Sequence, residues 1–237
     1  MLLPSISIVI PAYNEQGNLE ASVQSAIRGL ENRFSSYEII VVNDGSTDST
    51  GQIADRLAAS NSNIKAIHHP VNKGMGKSLS TGFKAATKEY VGSYPGDNGL
   101  EIESWGTMLD LIGTADVVSY CIANPEFRPW SRRFISWAFV SLVNAVFGLS
   151  IRYFNGHAVY RRQAIQSIPH LTNGHTFLAE CMIRLVKQGN SYREVPTIQI
   201  ERKTGRTKAF SLKNFKEVFT FFLKLPLELK RARSNHP

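Results

Sequence analysis

Apolar residues follow two alternating periods along the first half of the chain. SISIVIPAY (5–13) is a short β-branched run stopped by Pro11, and LEASVQSAIRGL (19–30) then places Leu19, Val23, Ala26, Ile27 and Leu30 on one helical face. YEIIVVND (37–44) is a second buried strand, followed by the helical STGQIADRLAAS (49–60), where Ser49 and Gln52 have capping-box spacing. The pattern repeats with a strand in NIKAIHH (63–69), a helix in GKSLSTGFKAATK (76–88) and a strand in YVGSY (90–94). A helix over 102–111 and a strand in ADVVSY (115–120) complete it. Strands alternating with helices predict an α/β fold, a largely parallel sheet covered on both faces. Ligands of such sheets bind beyond the carboxyl ends of the strands. Three stretches meet that condition: Pro11 to Glu15, Asn43 to Asp48 and Pro95 to Asn98.

After Pro125 the rhythm changes. A helix is predicted over 131–147, an extended YFNGHAVYRR (153–162), a helix in FLAECMIRLVKQG closed by Gly189, a strand in YREVPTIQI broken by Pro196, and an amphipathic helix from about Ser211. With no repeat and no low-complexity linker, the chain reads as one catalytic domain over 1–210 with a basic amphipathic helix and tail over 211–237.

Hydrophobic residues make up 43% of the 237, enough for a buried core. The two cysteines, Cys121 and Cys181, sit in separate apolar runs and read as buried reduced thiols of a cytosolic protein. Lys and Arg outnumber Asp and Glu by 27 to 19, with the excess late in the chain, so anionic partners are expected. No recognition helix or aromatic-basic sheet motif accompanies that charge, so nucleic acid is not among them. The most apolar stretch, 134–149, is short of the ~20 residues of a membrane span and carries Ser136, Ser141 and Asn144. The first residues show no recognisable signal-peptide pattern, so none is expected.

Two segments bear on chemistry. VVNDGSTDST places Asp44, Ser46, Thr47 and Asp48 just past a strand, either as a turn with a helix cap or as acids that meet a nucleobase or ribose. NKGMGKS (72–78) is not a phosphate loop, since Val71 occupies the position of the required first glycine. Gly74 and Gly76 still permit a tight turn and close backbone approach to a ligand.

In this order and spacing, SIVIPAYNE, EIIVVNDGSTDST and NKGMGKSLSTGFKAA resemble the family 2 inverting glycosyltransferases of GT-A (Rossmann-like) fold. The later EVPTIQIERKTGRTK is similar to a segment of dolichyl-phosphate mannosyltransferases and related bacterial polyprenyl-phosphate sugar transferases. The resemblance covers residues 5 to 210. It implies transfer of a sugar from a UDP- or GDP-sugar to a polyprenyl phosphate; a hydroxyl acceptor and a non-catalytic sugar-nucleotide-binding protein are the alternatives. It implies donor binding by Pro11, Tyr13, Glu15, Asp44, Gly74, Lys77 and Asp97, with Asp44 at the base. Arg202, Arg206, Lys208 and Arg132 would meet phosphates, where guanidinium forks bind oxygens in pairs. Catalysis is expected of Asp97, Glu180 and Arg202, with Glu180 as base or acceptor-positioning group.

Two departures stand out. Pro95 occupies the position of the first metal-binding Asp of the family's Asp-X-Asp motif, leaving Asp97 alone. His157 and Ala158 replace the Phe and Arg of a subgroup motif; Arg161 or Arg162 is the candidate to restore the charge, and His157 reads as a structural or supporting residue, with contact to substrate as the alternative. Divalent cations take one or two protein carboxylates and complete their shell with water and substrate phosphates. A weaker Mg²⁺ or Mn²⁺ site is therefore expected at Asp97, with Asn98 or Glu101 nearby. Trp130, Phe134, Trp137 and Phe139 beside Arg132 and Arg133 mix aromatic and basic character as interfacial helices do. The expectation is a cytoplasmic protein, peripheral at the inner face of the membrane; packing of these helices on the domain or on another copy, as a homo-oligomer, is the alternative.

Overall fold

A computed structural model describes residues 3–169, 172–200 and 212–234. The strands are β1 (Ser5–Ala12), β2 (Ser36–Asn43), β3 (Ile64–His68), β4 (Tyr90–Ser93), β5 (Val117–Ile122), β6 (Ala158–Arg161) and β7 (Tyr192–Thr197). They form one sheet in the order β3-β2-β1-β4-β6-β5-β7. β6 runs antiparallel between β4 and β5, and the other pairs are parallel.

The strands alternate sides residue by residue. Ile6, Ile8 and Ile10 of β1, with Ile39 and Val41 of β2, face α1 (Leu19–Leu30), α2 (Thr50–Ser60) and α4 (Ile102–Asp110). Val9, Ile40 and Val42 face the opposite core, built from α3 (Met75–Ala85), α5 (Trp130–Phe147), α6 (Arg162–Ser167), α7 (Phe177–Lys187) and α8 (Leu212–Ser234). Helices thus cover both faces of a mostly parallel sheet, as the periodicity predicts. α8 buries Phe221 and Leu225 in that second core, where Phe221 meets the rings of Phe139 and Phe147 on α5.

Several local expectations are corrected. Ser49 forms no side-chain cap on α2; Asp48 Oδ1 accepts the Thr50 amide (3.0 Å) instead. Of the extended 153–162 segment only 158–161 is strand, and the chain then turns into the short α6. β7 tolerates Pro196 because it is an edge strand, and it ends at Thr197.

The opposite, amino-terminal edge is tied by Glu38. Its Oε1 accepts from Ser7 Oγ (2.7 Å) and from the Thr87 amide (2.7 Å) and hydroxyl (2.8 Å), and Lys65 Nζ lies 2.7 Å from Oε2. Burial alone would raise this carboxyl, but Lys65, Ser7 and Thr87 outweigh it and hold its pKa at about 2 against an ordinary 4.5. A depressed carboxylate contributes stability that is fully present above its unfolded value and is lost as pH falls through the folded one. Glu38→Gln should therefore lower the melting temperature at pH 7 and flatten its decline between about pH 4.5 and 2; an unchanged pH profile of melting by circular dichroism would contradict this.

Candidate active site

Loops from three adjacent strands leave the carboxyl edge side by side, because β1 lies between β2 and β4. The Asp44 amide donates to the Ala12 carbonyl (2.8 Å), and the Tyr94 amide to the Val9 carbonyl (3.0 Å). A Cβ on Gly96 would meet the Pro11 carbonyl oxygen at 2.3 Å, so only glycine lets the turn after β4 lie this close to β1. Asp44 and the turn that carries Asp97 therefore flank the end of β1 on one edge of the sheet.

The loop after β1 interlocks with the loop after β2. The Asn14 amide donates to Ser46 Oγ (3.0 Å), the Thr47 amide to Asn14 Oδ1 (2.9 Å) and the Glu15 amide to Thr50 Oγ1 (2.8 Å). Asn14 adopts φ 57° to do so. Pro11, Tyr13 and Glu15 are half-buried along this seam. The Glu15 carboxylate accepts the Asn18 side-chain amide (2.7 Å) at the start of α1.

Asp44 is 3% exposed. Its Oδ1 lies 2.7 Å from His69 Nδ1 and accepts the Lys73 amide (2.9 Å), and its Oδ2 accepts the Gly74 amide (2.8 Å). A carboxylate offers about four lone-pair positions, so the clamp leaves room for one further donor at Oδ2. Gly74 takes φ 96° before α3, and a Cβ there would meet the Asn173 carbonyl oxygen at 2.7 Å. The close approach expected of this glycine is thus made by the chain's own Asn173, whose carbonyl also accepts the Lys77 amide (3.0 Å).

Asp97 Oδ1 accepts the Gly99 amide (3.0 Å). Of its two neighbours expected to assist, Asn98 Oδ1 accepts the Tyr94 hydroxyl (3.2 Å) and Glu101 Oε2 accepts Ser104 Oγ (2.8 Å). Asp97 acts electrostatically on His157, the residue that departs from the subgroup motif. His157, 8% exposed, places Nδ1 2.8 Å from Ser93 Oγ and stacks on Tyr120, which stacks in turn on Tyr153. Arg128 lies over the Tyr153 ring, 5.7 Å from its centroid, and grips Gln199 Oε1 with Nε and Nη2 (2.9 and 2.6 Å). Burial drives the His157 pKa down to about 4 against the opposing pull of Asp97, so the ring is neutral at pH 7. Arg128 is the basic side chain the motifs passed over, since its partners are 25 and 71 residues away.

Arg161 and Arg162 do not restore the lost charge. β6 is antiparallel, so they emerge at the far edge: Arg161 pairs opposite Tyr90, the first residue of β4, and Arg162 Nε donates to the Lys88 carbonyl (2.6 Å). Arg132, half-buried on α5, is close enough to His175 to act on it electrostatically. Arg202, Arg206 and Lys208 lie outside the described residues.

Glu180 is fully buried. Oε2 accepts the Thr172 amide (3.0 Å) and hydroxyl (2.9 Å), Oε1 accepts Arg184 Nε (2.8 Å), and Arg184 Nη2 continues to Glu228 on α8 (2.6 Å). This arrangement anchors α7 to α8.

Among the described residues, no three His, Cys, Asp or Glu side chains gather in a way that could hold an ion. A single carboxylate suits a cation only if phosphate and water complete its shell.

The family model for glycosyl transferase family 2 matches residues 7–169. The undecaprenyl-phosphate mannosyltransferase of Micrococcus luteus is 26% identical over 211 residues, 84% of this chain and 85% of that one. The polyprenol monophosphomannose synthase of Mycolicibacterium smegmatis is 27% identical over 214 residues, 85% of this chain and 79% of that one. Other relatives are longer, and the matched region spans 27% to 64% of their length. Among solved structures, glucosyl-3-phosphoglycerate synthase from Mycobacterium tuberculosis with Mn²⁺, UDP-glucose and phosphoglyceric acid superposes with a TM-score of 0.73 at 17% identity, covering 94% of this chain and 79% of that one. That likeness establishes the GT-A architecture.

Glu180→Gln separates an anchoring role from a proton-accepting one. Weakening the buried pair should cost on the order of 3 kcal/mol in urea unfolding. Full stability with a 10²–10⁴-fold loss of kcat, of the order general-base catalysis contributes, would instead mark a catalytic base.

Proposed function

The chain belongs to glycosyl transferase family 2 and is a glycosyltransferase, and we propose that it moves a sugar from a nucleoside-diphosphate donor to a polyprenyl phosphate at a membrane surface. The observation that carries this reading is the shared edge on which Asp44 and Asp97 flank β1. A donor laid across that edge puts its nucleoside against Asp44, with Pro11, Tyr13 and Glu15 beneath it and Gly74 and Lys77 at its border, and its diphosphate toward Asp97. Two relatives similar over more than four-fifths of the chain carry undecaprenyl phosphate or polyprenol in their names.

In an inverting displacement, an acceptor phosphate oxygen forms the new bond to the anomeric carbon. The bond to the donor diphosphate breaks, and the nucleoside diphosphate leaves with the electron pair. A phosphate monoester is an anion near pH 7 and needs no general base, whereas a hydroxyl acceptor does. The engaged position of Glu180 therefore favours the phosphate acceptor. Mg²⁺ or Mn²⁺ at Asp97 would neutralise charge on the leaving diphosphate. It would travel with the donor, since Pro95 leaves too few protein ligands for tight binding alone. Arg202, Arg206 and Lys208, with Arg132, are assigned by the sequence to the phosphates.

Lipid access is the second element. α5 exposes Trp130 (79%), Phe134, Ile135, Trp137 (64%), Leu142 and Val146, and α8 exposes Phe219, Leu223 and Leu227. Arg133, Lys224, Lys230 and Arg231 are exposed on the same two helices. Among the described residues no helix is long and apolar enough to cross a membrane. An apolar face with basic neighbours suits the headgroup layer of an anionic bilayer, the inner face of a cytoplasmic membrane.

Three measurements test this reading. Purified protein should form product with undecaprenyl phosphate and a UDP- or GDP-sugar, and Asp97→Ala should abolish metal-dependent donor binding by calorimetry; product only with hydroxyl acceptors, or donor affinity indifferent to metal and to Asp97, would overturn it. The protein should float with anionic vesicles, and joint replacement of Trp130, Phe134 and Trp137 by Ala should reduce recovery at least tenfold. A concentration-dependent dimer that ignores lipid would assign the face to a second copy.

A further inference from the structure

We propose that His157 is a second protein ligand of the divalent cation, its Nε2 completing with Asp97 the pair that Pro95 interrupts. The inference rests on the donor-site reading above and deepens it. β6 runs antiparallel beside β4 with Gly92 opposite Val159, so the residue two places before Val159 comes to the end of β4, where the turn toward Asp97 begins. His157 is there, and Ser93, the last residue of β4, holds its Nδ1 at 2.8 Å. A ligating imidazole characteristically has its other nitrogen fixed by an oxygen, which sets the tautomer and the ring orientation. With Nδ1–H donated to Ser93 Oγ, the lone pair lies on Nε2.

The ring plane is set by Tyr120, 6.3 Å away at 30°, itself backed by Tyr153. Asp97 is near enough for its charge to act on both His157 and Tyr120. The buried side-chain polar atoms left without a partner among the described residues are Trp105 Nε1 and Asn155 Oδ1, not His157 Nε2. The register of β6 against β4 brings the His157 ring to the strand end from which the turn carrying Asp97 departs, so its Nε2 adds a donor to the oxygen that turn supplies.

Asp97 and His157 would supply one carboxylate and one imidazole, leaving the rest of the shell to donor phosphate and water. Imidazole suits Mn²⁺ better than Mg²⁺, which prefers oxygen ligands throughout. The site should therefore favour Mn²⁺.

The test is electron spin echo modulation of the protein with Mn²⁺ and UDP, and in parallel with GDP, alongside Mn²⁺ and Mg²⁺ titrations. The wild type should show ¹⁴N modulation that disappears in His157→Gln, with Mn²⁺ affinity falling about tenfold or more and Mg²⁺ affinity changing little. Ser93→Ala keeps the ring without its orienting partner, so the modulation should remain while Mn²⁺ binds roughly tenfold more weakly. If His157→Gln fails to fold by circular dichroism, Ser93→Ala decides: unchanged Mn²⁺ affinity there overturns the proposal. Modulation that persists in His157→Gln, or Mn²⁺ binding that is lost in Asp97→Asn yet unaffected in His157→Gln, sinks the His157 assignment alone. A wild type that binds no Mn²⁺ with either nucleotide removes the donor-site reading as well.

Discussion

One buried carboxylate organises the working edge of the sheet. Removing Asp44 from water costs several kcal/mol unless donors replace the lost hydration. His69 and the Lys73 and Gly74 amides supply them. That satisfaction fixes where the chain must pass between β3 and α3, and it places Gly74 in a conformation only glycine adopts easily. The effects continue outward. The start of α3 packs under Asn173, the segment holding Asn173 runs into Thr176, and Thr176 donates through its amide and hydroxyl to Glu217 on α8. A single side chain at the end of β2 is thereby linked, contact by contact, to the last helix.

That linkage joins two surfaces with different properties. The sheet edge gathers polar groups suited to a nucleoside diphosphate. α5 and α8 bury one side in the core through Phe139, Phe147 and Phe221 while turning tryptophan, phenylalanine and leucine outward. An acceptor with a phosphate head and an isoprenoid tail needs both kinds of surface near each other. The Thr172–Thr176 segment ties to Glu180 on α7 and to Glu217 on α8, which links the two helices.

Much of this was legible in the sequence because it depends on local period and order. α1 occupies the predicted 19–30, and the alternation of Ile6, Ile8 and Ile10 against Val9 sorts the two cores. Strand tips marked by Pro11, Asp44 and Asp97 converge because parallel strands joined through helices all end on one edge. What stayed hidden depends on long separations. β6 inserts antiparallel beside β4, which sends Arg161 and Arg162 to the amino-terminal end of β4 and brings His157 to its carboxyl end. Nothing in VVNDGSTDST shows that the partners of Asp44 lie 25 to 30 residues further on. Glu180, on an amphipathic helix, gave no sign that Arg184, one turn later, and Thr172 would enclose it.

The most direct measurement is a crystal structure of the protein with UDP or GDP and Mn²⁺. The account predicts continuous density crossing the end of β1, with the nucleoside against Asp44 and the diphosphate and metal at Asp97. Nucleotide bound away from this edge, or bound here with its diphosphate pointing away from Asp97, would contradict it.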